Sequence, residues 1–388
     1  MNAANPANDD LPQPAPPERL GSLDVFRGAT IAAMILVNDA GDWDKTYHPL
    51  LHAPWNGWTP TDLIFPFFLF VVGAAIPYAF AGRLARSGDD RGPLHGQIAR
   101  RSVILFALGL FLSWVPFYAV NWPAARIPGV LQRIAVVYCV AALAWLHLGK
   151  RSRAALAVVL LAGYWLAMVL IPVPGHGAGD LSPDGNLAGW IDHFLLGRHT
   201  WRKAPGPGDP EGILSTIPSI ATALLGLFAG DWLRSSRESR EKLRGLLLAG
   251  CVATVAGLVA DVWFPINKNL WTSSYVLFTA GLALLLLAPA YYLVDMKHRD
   301  GWSRPFAIFG TNAIVAFFGS TLMAKILYLI HLQTPEGAPI TLQAWLYRHL
   351  FASWLPDYVA SLGWALVFTA IWWGVTLALY RRRIFIKI

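Results

Sequence analysis

Ten separate apolar runs recur along this chain, each close to the roughly 20 residues that one α-helix needs to cross a bilayer. They fall at 23–38, 61–83, 102–120, 127–147, 154–173, 213–233, 245–264, 270–294, 305–330 and 357–380. A backbone surrounded by lipid must satisfy its own N–H and C=O groups, so runs of this length are read as helices. The balance of 55% hydrophobic to 14% charged residues lies outside that of a water-soluble domain. The fold class is therefore all-α, a polytopic transmembrane helix bundle of about ten spans. Residues 341–354, TLQAWLYRHLFASW, are apolar but short, carry Arg348 and His349 and end before Pro356. They predict an interfacial helix; an eleventh span is the alternative. Residues 1–20, rich in Pro, Asn and Asp, have no basic start and no apolar core. They predict a disordered cytoplasmic tail rather than a cleavable signal peptide, and 21–388 form the membrane domain, with external loops at 39–60, 173–212 and 331–356.

Orientation follows from lysine and arginine, which stay on the cytoplasmic side during insertion. Segment 83–101 holds five, 150–153 three, 234–244 five, 297–304 three and the C-terminal RRRIFIKI four. The opposite connections hold fewer: Lys45, Arg126, three in 173–212, Lys268 and Arg348. Both termini are expected in the cytoplasm. This topology explains most of the net charge of +8, and no interleaved basic and aromatic face argues for nucleic acid. Cys139 and Cys251 lie inside predicted spans and supply neither a disulfide nor a metal spacing. No phosphate loop, GxSxG or HExxH motif is present, and no metal is expected.

Charged and polar residues within spans mark sites or pathways, because each costs a few kcal/mol at the bilayer centre. Asp24 and Arg27 share one face near the cytoplasmic end of the first span; an interfacial ion pair is the plain alternative. Asn38 and Asp39 close that span, and Asp62 opens the second, where an aspartate can also serve only the helix dipole. Arg133, beside Gln132, lies about two turns inside the fourth span. PINKNLW brings Asn267, Lys268 and Asn269 to the same external level. Between Pro54 and Pro60 lie His52, Trp55, the turn Asn56-Gly57 and Trp58. His52 reads either as a surface histidine or as a reactive one, and the tryptophans as interface anchors or ligand contacts. The 173–212 loop mixes aspartate, asparagine, histidine and tryptophan, a composition suited to hydroxyl-rich ligands.

RLGSLDVFRG, ILVND, HAPWNGWTPTDLIFPFFLFVVG, RIPGVLQRIAVVY, DPEGILSTIPSIATALLG, PINKNLWTSSYVLFTAG and PFAIFGTNAI follow one another in that order. Together they closely resemble the membrane domain of the heparan-α-glucosaminide N-acetyltransferase family, from about residue 19 to the C-terminal arginines. The chain looks like a shorter bacterial member associated with amino-sugar use; it departs from the animal enzyme in lacking an extra N-terminal luminal domain and first helix. The resemblance implies a ten-helix domain in the bacterial inner membrane that takes acetyl-CoA from the cytoplasm and delivers acetyl to the amine of an amino sugar outside. It also implies a homodimer in membrane lipid. It places the catalytic histidine at His52, with Asn38 and Asp62 as catalytic partners. Trp55, Asn56, Arg133, Glu211, Asn267, Lys268 and Asn269 become acceptor-side candidates, and Asp24, Arg27 and Asn312 donor-side ones.

Acetyl transfer from a thioester to an amine needs a neutral amine and a polarised carbonyl. Histidine, with an unperturbed pKa of about 6.5, suits the first task. His52 is assigned as general base and Asn38 as donor to the thioester oxygen or the sugar. Asp62 orients the imidazole or binds the ammonium, and Arg133 is expected to hold the Asn38, His52 and Asp62 cluster. The same residues serve a direct transfer and a two-step route through acetyl-histidine. The rival class is an amino-sugar transporter without acetyl transfer, in which Arg133 and Asp62 would couple transport.

Overall fold

The computed structural model describes residues 20–86, 90–334 and 337–386; apart from Leu20, the expected tail over 1–20 lies outside the described residues. The chain runs through α1 (Gly21–Asn38), α2 (Pro60–Arg86), α3 (Gly92–Trp114), α4 (Val130–His147) and α5 (Lys150–Leu170). It continues through α6 (Leu187–Leu196), α7 (Ile213–Leu233), α8 (Ser239–Ala260) and α9 (Ser273–Ala290), the last extended by a π-helical turn (Tyr291–Met296). Then come α10 (Arg304–Thr311), α11 (Ala313–Leu329), the antiparallel strands β1 (His331–Gln333) and β2 (Pro339–Thr341), α12 (Leu342–Tyr347) with a π-helical turn (Arg348–Ala352), and α13 (Asp357–Arg381). The architecture is an all-α polytopic bundle.

Among the described residues, eight helices are long and apolar enough to cross a bilayer, nine if the bent pair α10–α11 counts as one span. The tenth expected span is α1, which carries Asp24 and Arg27 and is not among these. The run 305–330 is not one straight helix. It bends by 81° at Asn312, where the backbone leaves helical dihedrals (φ −128°, ψ 41°). The Asn312 amide is buried and is engaged by the chain's last described residues: Nδ2 donates to the Ile384 carbonyl (3.1 Å) and Oδ1 accepts from the Ile386 amide (3.0 Å). The expected interfacial segment is a short helix, α12 with its π turn, and is not among the spans. The 173–212 loop is not irregular throughout, since Asn186 caps α6 within it by accepting from the Gly189 amide (2.7 Å).

α2 and α7 form the centre, with 72% and 67% of their apolar windows buried against 17% for α8. They approach closely because neither presents a side chain at the crossing. A Cβ on Gly73 would lie 1.9 Å from the Ala223 carbonyl oxygen, and one on Gly226 1.9 Å from that of Phe70; such small-residue contacts are what lets helices pack where lipid supplies no hydrophobic drive. The ends alternate, so the α1 C-terminus, the N-termini of α2, α4, α7 and α9 and the 264–272 loop gather at one pole.

Candidate active site

The centre of that pole is assembled from Leu51–Asp62 and the turn before α9. Asn56-Gly57 makes the turn its sequence predicts: Gly57 has φ +90°, a conformation that favours glycine, and its amide donates to the Ile266 carbonyl (2.8 Å). Beside it, Asn267 Nδ2 donates to Asn56 Oδ1 (3.1 Å). Thus two segments more than two hundred residues apart are stitched together.

α2 then begins on Thr59-Pro60-Thr61-Asp62, with proline at the first helical position and an acid three residues after the cap. Asp62 Oδ2 reaches back to accept the Thr59 amide (3.0 Å) and also the Ala53 amide (3.0 Å). This leaves Oδ1, which accepts from His52 Nδ1 at 2.7 Å. One carboxylate therefore caps the helix with one oxygen and meets an imidazole with the other. The Asp62 side chain is 2% exposed and that of His52 51%. With Nδ1 donating to Asp62, the neutral ring keeps its lone pair on Nε2, and a buried acid sets the tautomer of an accessible base.

Lys268 completes the group. Its Nζ lies 3.1 Å from both His52 ring nitrogens and 3.8 Å from Asp62 Oδ1, with the side chain 18% exposed. A point equidistant from both nitrogens is on the lone-pair axis of neither, so the ammonium sits against the ring without consuming Nε2. Burial pushes the Lys268 pKa below the ordinary lysine value, against the pull of Asp62 and Glu211. Tyr275, which the sequence reading missed, donates its hydroxyl to the Asp62 carbonyl. In the sequence it stands in the hydroxyl-rich stretch Thr272-Ser273-Ser274-Tyr275, which reads as an ordinary helix start.

Arg133 does not hold this cluster directly, as the sequence reading expected. Its Nη2 donates to Ser215 Oγ (2.5 Å) and the Gly212 carbonyl (3.3 Å), and the guanidinium lies 4.9 Å from the Trp271 ring centroid. It fastens the start of α7. Its link to His52 and Asp62 is indirect, through Trp271, which packs edge-on against Phe65 and Tyr275. Glu211 is likewise engaged: Arg126 pairs with it (2.6 Å) and grips Asp209 through Nε and Nη2 (2.8 and 2.6 Å). Asp192 of α6 accepts the Asp209 and Ile213 amides (3.1 and 2.8 Å), and burial pushes its pKa up to about 6. Arg126, Asp192 and Asp209 went unnoticed in the sequence because the contacts that join them to one another and to Glu211 span up to 85 residues.

The remaining candidates are dispersed. Trp55 donates Nε1 to the Leu181 carbonyl (2.9 Å) and, with Asn269, Asn186, Asp192 and Asp209, lines a shallow cleft next to the His52 group. Asn38 is exposed at the last position of α1, and among the described residues no hydrogen bond joins it to His52 or Asp62. Asp24 and Arg27 pair at 3.1 Å near the other end of α1. Asn312 is also far from His52, its amide occupied by the 384–386 segment.

Residues 19–258 match the model of the family described as heparan-alpha-glucosaminide N-acetyltransferase, catalytic. The chain belongs to this family. It is 31% identical to human heparan-alpha-glucosaminide N-acetyltransferase over 436 aligned residues, covering 96% of this chain and 60% of the human protein. The mouse protein of the same name is 30% identical over 425, covering 95% and 60%. The chain thus spans about 60% of the length of these relatives, and the family match includes His52, Asp62, Arg133 and Glu211 but ends before Lys268 and Tyr275.

Proposed function

We propose that the chain is an integral membrane N-acetyltransferase that moves acetyl from acetyl-CoA at the cytoplasmic face to the amine of glucosamine, or of a glucosamine-containing sugar, at the His52 pole outside. The observation that carries this reading is the 2.7 Å contact between a half-exposed imidazole and a buried carboxylate, in a family whose members are named for this transfer. The excess of basic residues at the opposite pole supports the sidedness, and the bacterial inner membrane is the matching location.

His52 Nε2 takes a proton from the acceptor amine as its nitrogen attacks the thioester carbon. Asp62 keeps the ring in the right tautomer and stabilises the imidazolium that forms. Trp55 and Asn269 line the cleft where the sugar would lie, its apolar face on the indole. Asn38 closes α1 at the same pole. At the opposite pole Arg27 and the basic connections face the donor's phosphates, and Asn312 contributes there only if the 384–386 segment moves aside. The protein works as a homodimer in lipid.

Purified protein in liposomes, given isotopically labelled acetyl-CoA on one face and glucosamine on the other, should yield labelled N-acetylglucosamine that disappears in His52→Ala. Labelled acetyl trapped on His52 without acceptor separates the two-step route from direct transfer. A second reading, an amino-sugar carrier, draws support from the break at Asn312, since broken helices line solute paths in transporters. Unmodified glucosamine crossing the bilayer with no acetylated product would select it.

A further inference from the structure

Resting on the acetyl-transfer reading, we infer that Lys268 is a catalytic residue, its ammonium being the group that holds the carbonyl oxygen of the acetyl group as that carbon becomes tetrahedral. When an amine attacks a thioester, a C–N bond forms and the carbonyl π electrons move onto oxygen. The oxyanion then re-forms the carbonyl, the C–S bond breaks, and the proton taken by His52 Nε2 goes to the departing thiolate. The same oxyanion arises if the imidazole attacks first, so the requirement for a donor does not depend on the route.

That donor must lie next to the His52 ring, and the nearby groups can be accounted for one by one. The Ala53 and Thr59 amides are committed to Asp62 and the Gly57 amide to the Ile266 carbonyl. Asn38 is exposed, and among the described residues no hydrogen bond joins it to the dyad. Tyr275 gives its hydroxyl proton to the Asp62 backbone. Lys268 Nζ alone of these contacts the ring itself, 3.1 Å from Nε2. An attacking nitrogen bound to Nε2 sits about 3 Å from it, which brings the adjoining carbonyl oxygen within one hydrogen bond of the ammonium. The Lys268 side chain contacts His52 and Asp62, and neither contact supports a helix end. Its own pKa, lowered by burial, makes the ammonium a stronger donor than a solvated lysine.

The test is steady-state N-acetylation of glucosamine by reconstituted full chain for wild type, Lys268→Met and Lys268→Arg, with thermal stability in detergent as the folding control. Loss of one oxyanion donor lowers kcat by about 10²–10³-fold. The expected result is a fall of that size in Lys268→Met with the acceptor KM within about threefold, and recovery of at least about tenfold in Lys268→Arg. An active wild type with Lys268→Met kcat within about threefold, or a change confined to acceptor KM, overturns the inference alone. A wild type that makes no acetylated product overturns the acetyl-transfer reading and this one with it.

Discussion

The two poles of the bundle use their polar side chains differently. At the opposite pole, several long-range polar contacts tie helix ends through backbone groups or ion pairs, alongside an exposed His95–His147 ring contact (2.8 Å) that has, among the described residues, no buried acid behind it. Asp295 accepts the Gly21 and Ser22 amides at the start of α1 (2.9 and 3.1 Å), Asn312 grips the 384–386 backbone, and Arg153 pairs with Asp231 (3.0 Å). Those contacts stitch helix ends together. The His52 pole has its own stitching, such as Arg126 to Asp209 and Asp192 to two amides, but it also joins side chains able to move a proton around a buried acid: His52 to Asp62, and Lys268 to both. A membrane protein needs stitching at every helix end; a base, an acid and a cation within one hydrogen-bond layer are not needed for folding. Chemistry is therefore expected where a half-exposed base is backed by a buried acid and a neighbouring cation.

The largest effect tests that contrast directly. Asp62→Asn keeps the shape of the side chain but reverses the preferred tautomer of His52. It should cut the acetylation rate by about 10²–10⁴-fold, the same range as His52→Ala. The two changes should not add in the double variant, because they disable one unit. Additive losses, measured as kcat/KM of the reconstituted protein, would break the dyad reading.

Next comes the pH profile. Because burial lowers the Lys268 pKa, the ammonium is lost at a pH below the ordinary lysine range of about 10.4. Activity should fall as pH rises through that lowered value. The alkaline limb should move upward in Lys268→Arg, whose guanidinium stays charged. An unmoved limb would assign it to another group.

How much of this was legible in the sequence depends on the range of the interactions. The bundle was readable because each span carries its own apolar run, and the Asn56-Gly57 turn because turn chemistry is local. Span 305–330 was misread as continuous: its break depends on Asn312 meeting residues 384–386, more than seventy positions away. Asp62 invited two readings because an N-cap is local and a histidine ten residues off is not. The Lys268–His52 contact, 216 residues apart, left no mark on either segment beyond polarity at a common depth. Arg133, expected about two turns inside its span, lies buried in the first turn of α4, and its partners at the start of α7 could not be inferred, since Ser215 looks like any small residue in a membrane helix.

A smaller, structural effect separates the scaffold of the active pole from its chemistry. Asp192 has a folded pKa of about 6, raised from 3.8 by burial. Between those values the folded protein holds a proton that the unfolded chain has lost. Stability should therefore fall as pH rises through this window and level off above it. The effect is on the order of 3 kcal/mol at most. Asp192→Asn should flatten the curve of Tm against pH from 4 to 7, and its kcat should stay near wild type. A loss of kcat without the flattening would move Asp192 from scaffold to chemistry.

The smallest expected effect bears on the opposite pole. Arg27 lies 3.1 Å from Asp24 one turn away, with the two side chains 25% and 16% exposed. A partly exposed pair at this spacing contributes about 0.2–0.5 kcal/mol, so Arg27→Ala should shift Tm by no more than a degree or two. If this pole only sets topology, donor KM and kcat should both be unchanged. If Arg27 also meets the donor's phosphates, donor KM should rise several-fold while kcat and acceptor KM hold, because a charge that contacts donor equally before and during transfer alters binding alone. Measuring donor KM in Arg27→Ala beside a charge-reversed variant in the 234–244 connection separates a specific phosphate contact from the general basic field, which added salt screens and a close guanidinium–phosphate pair resists.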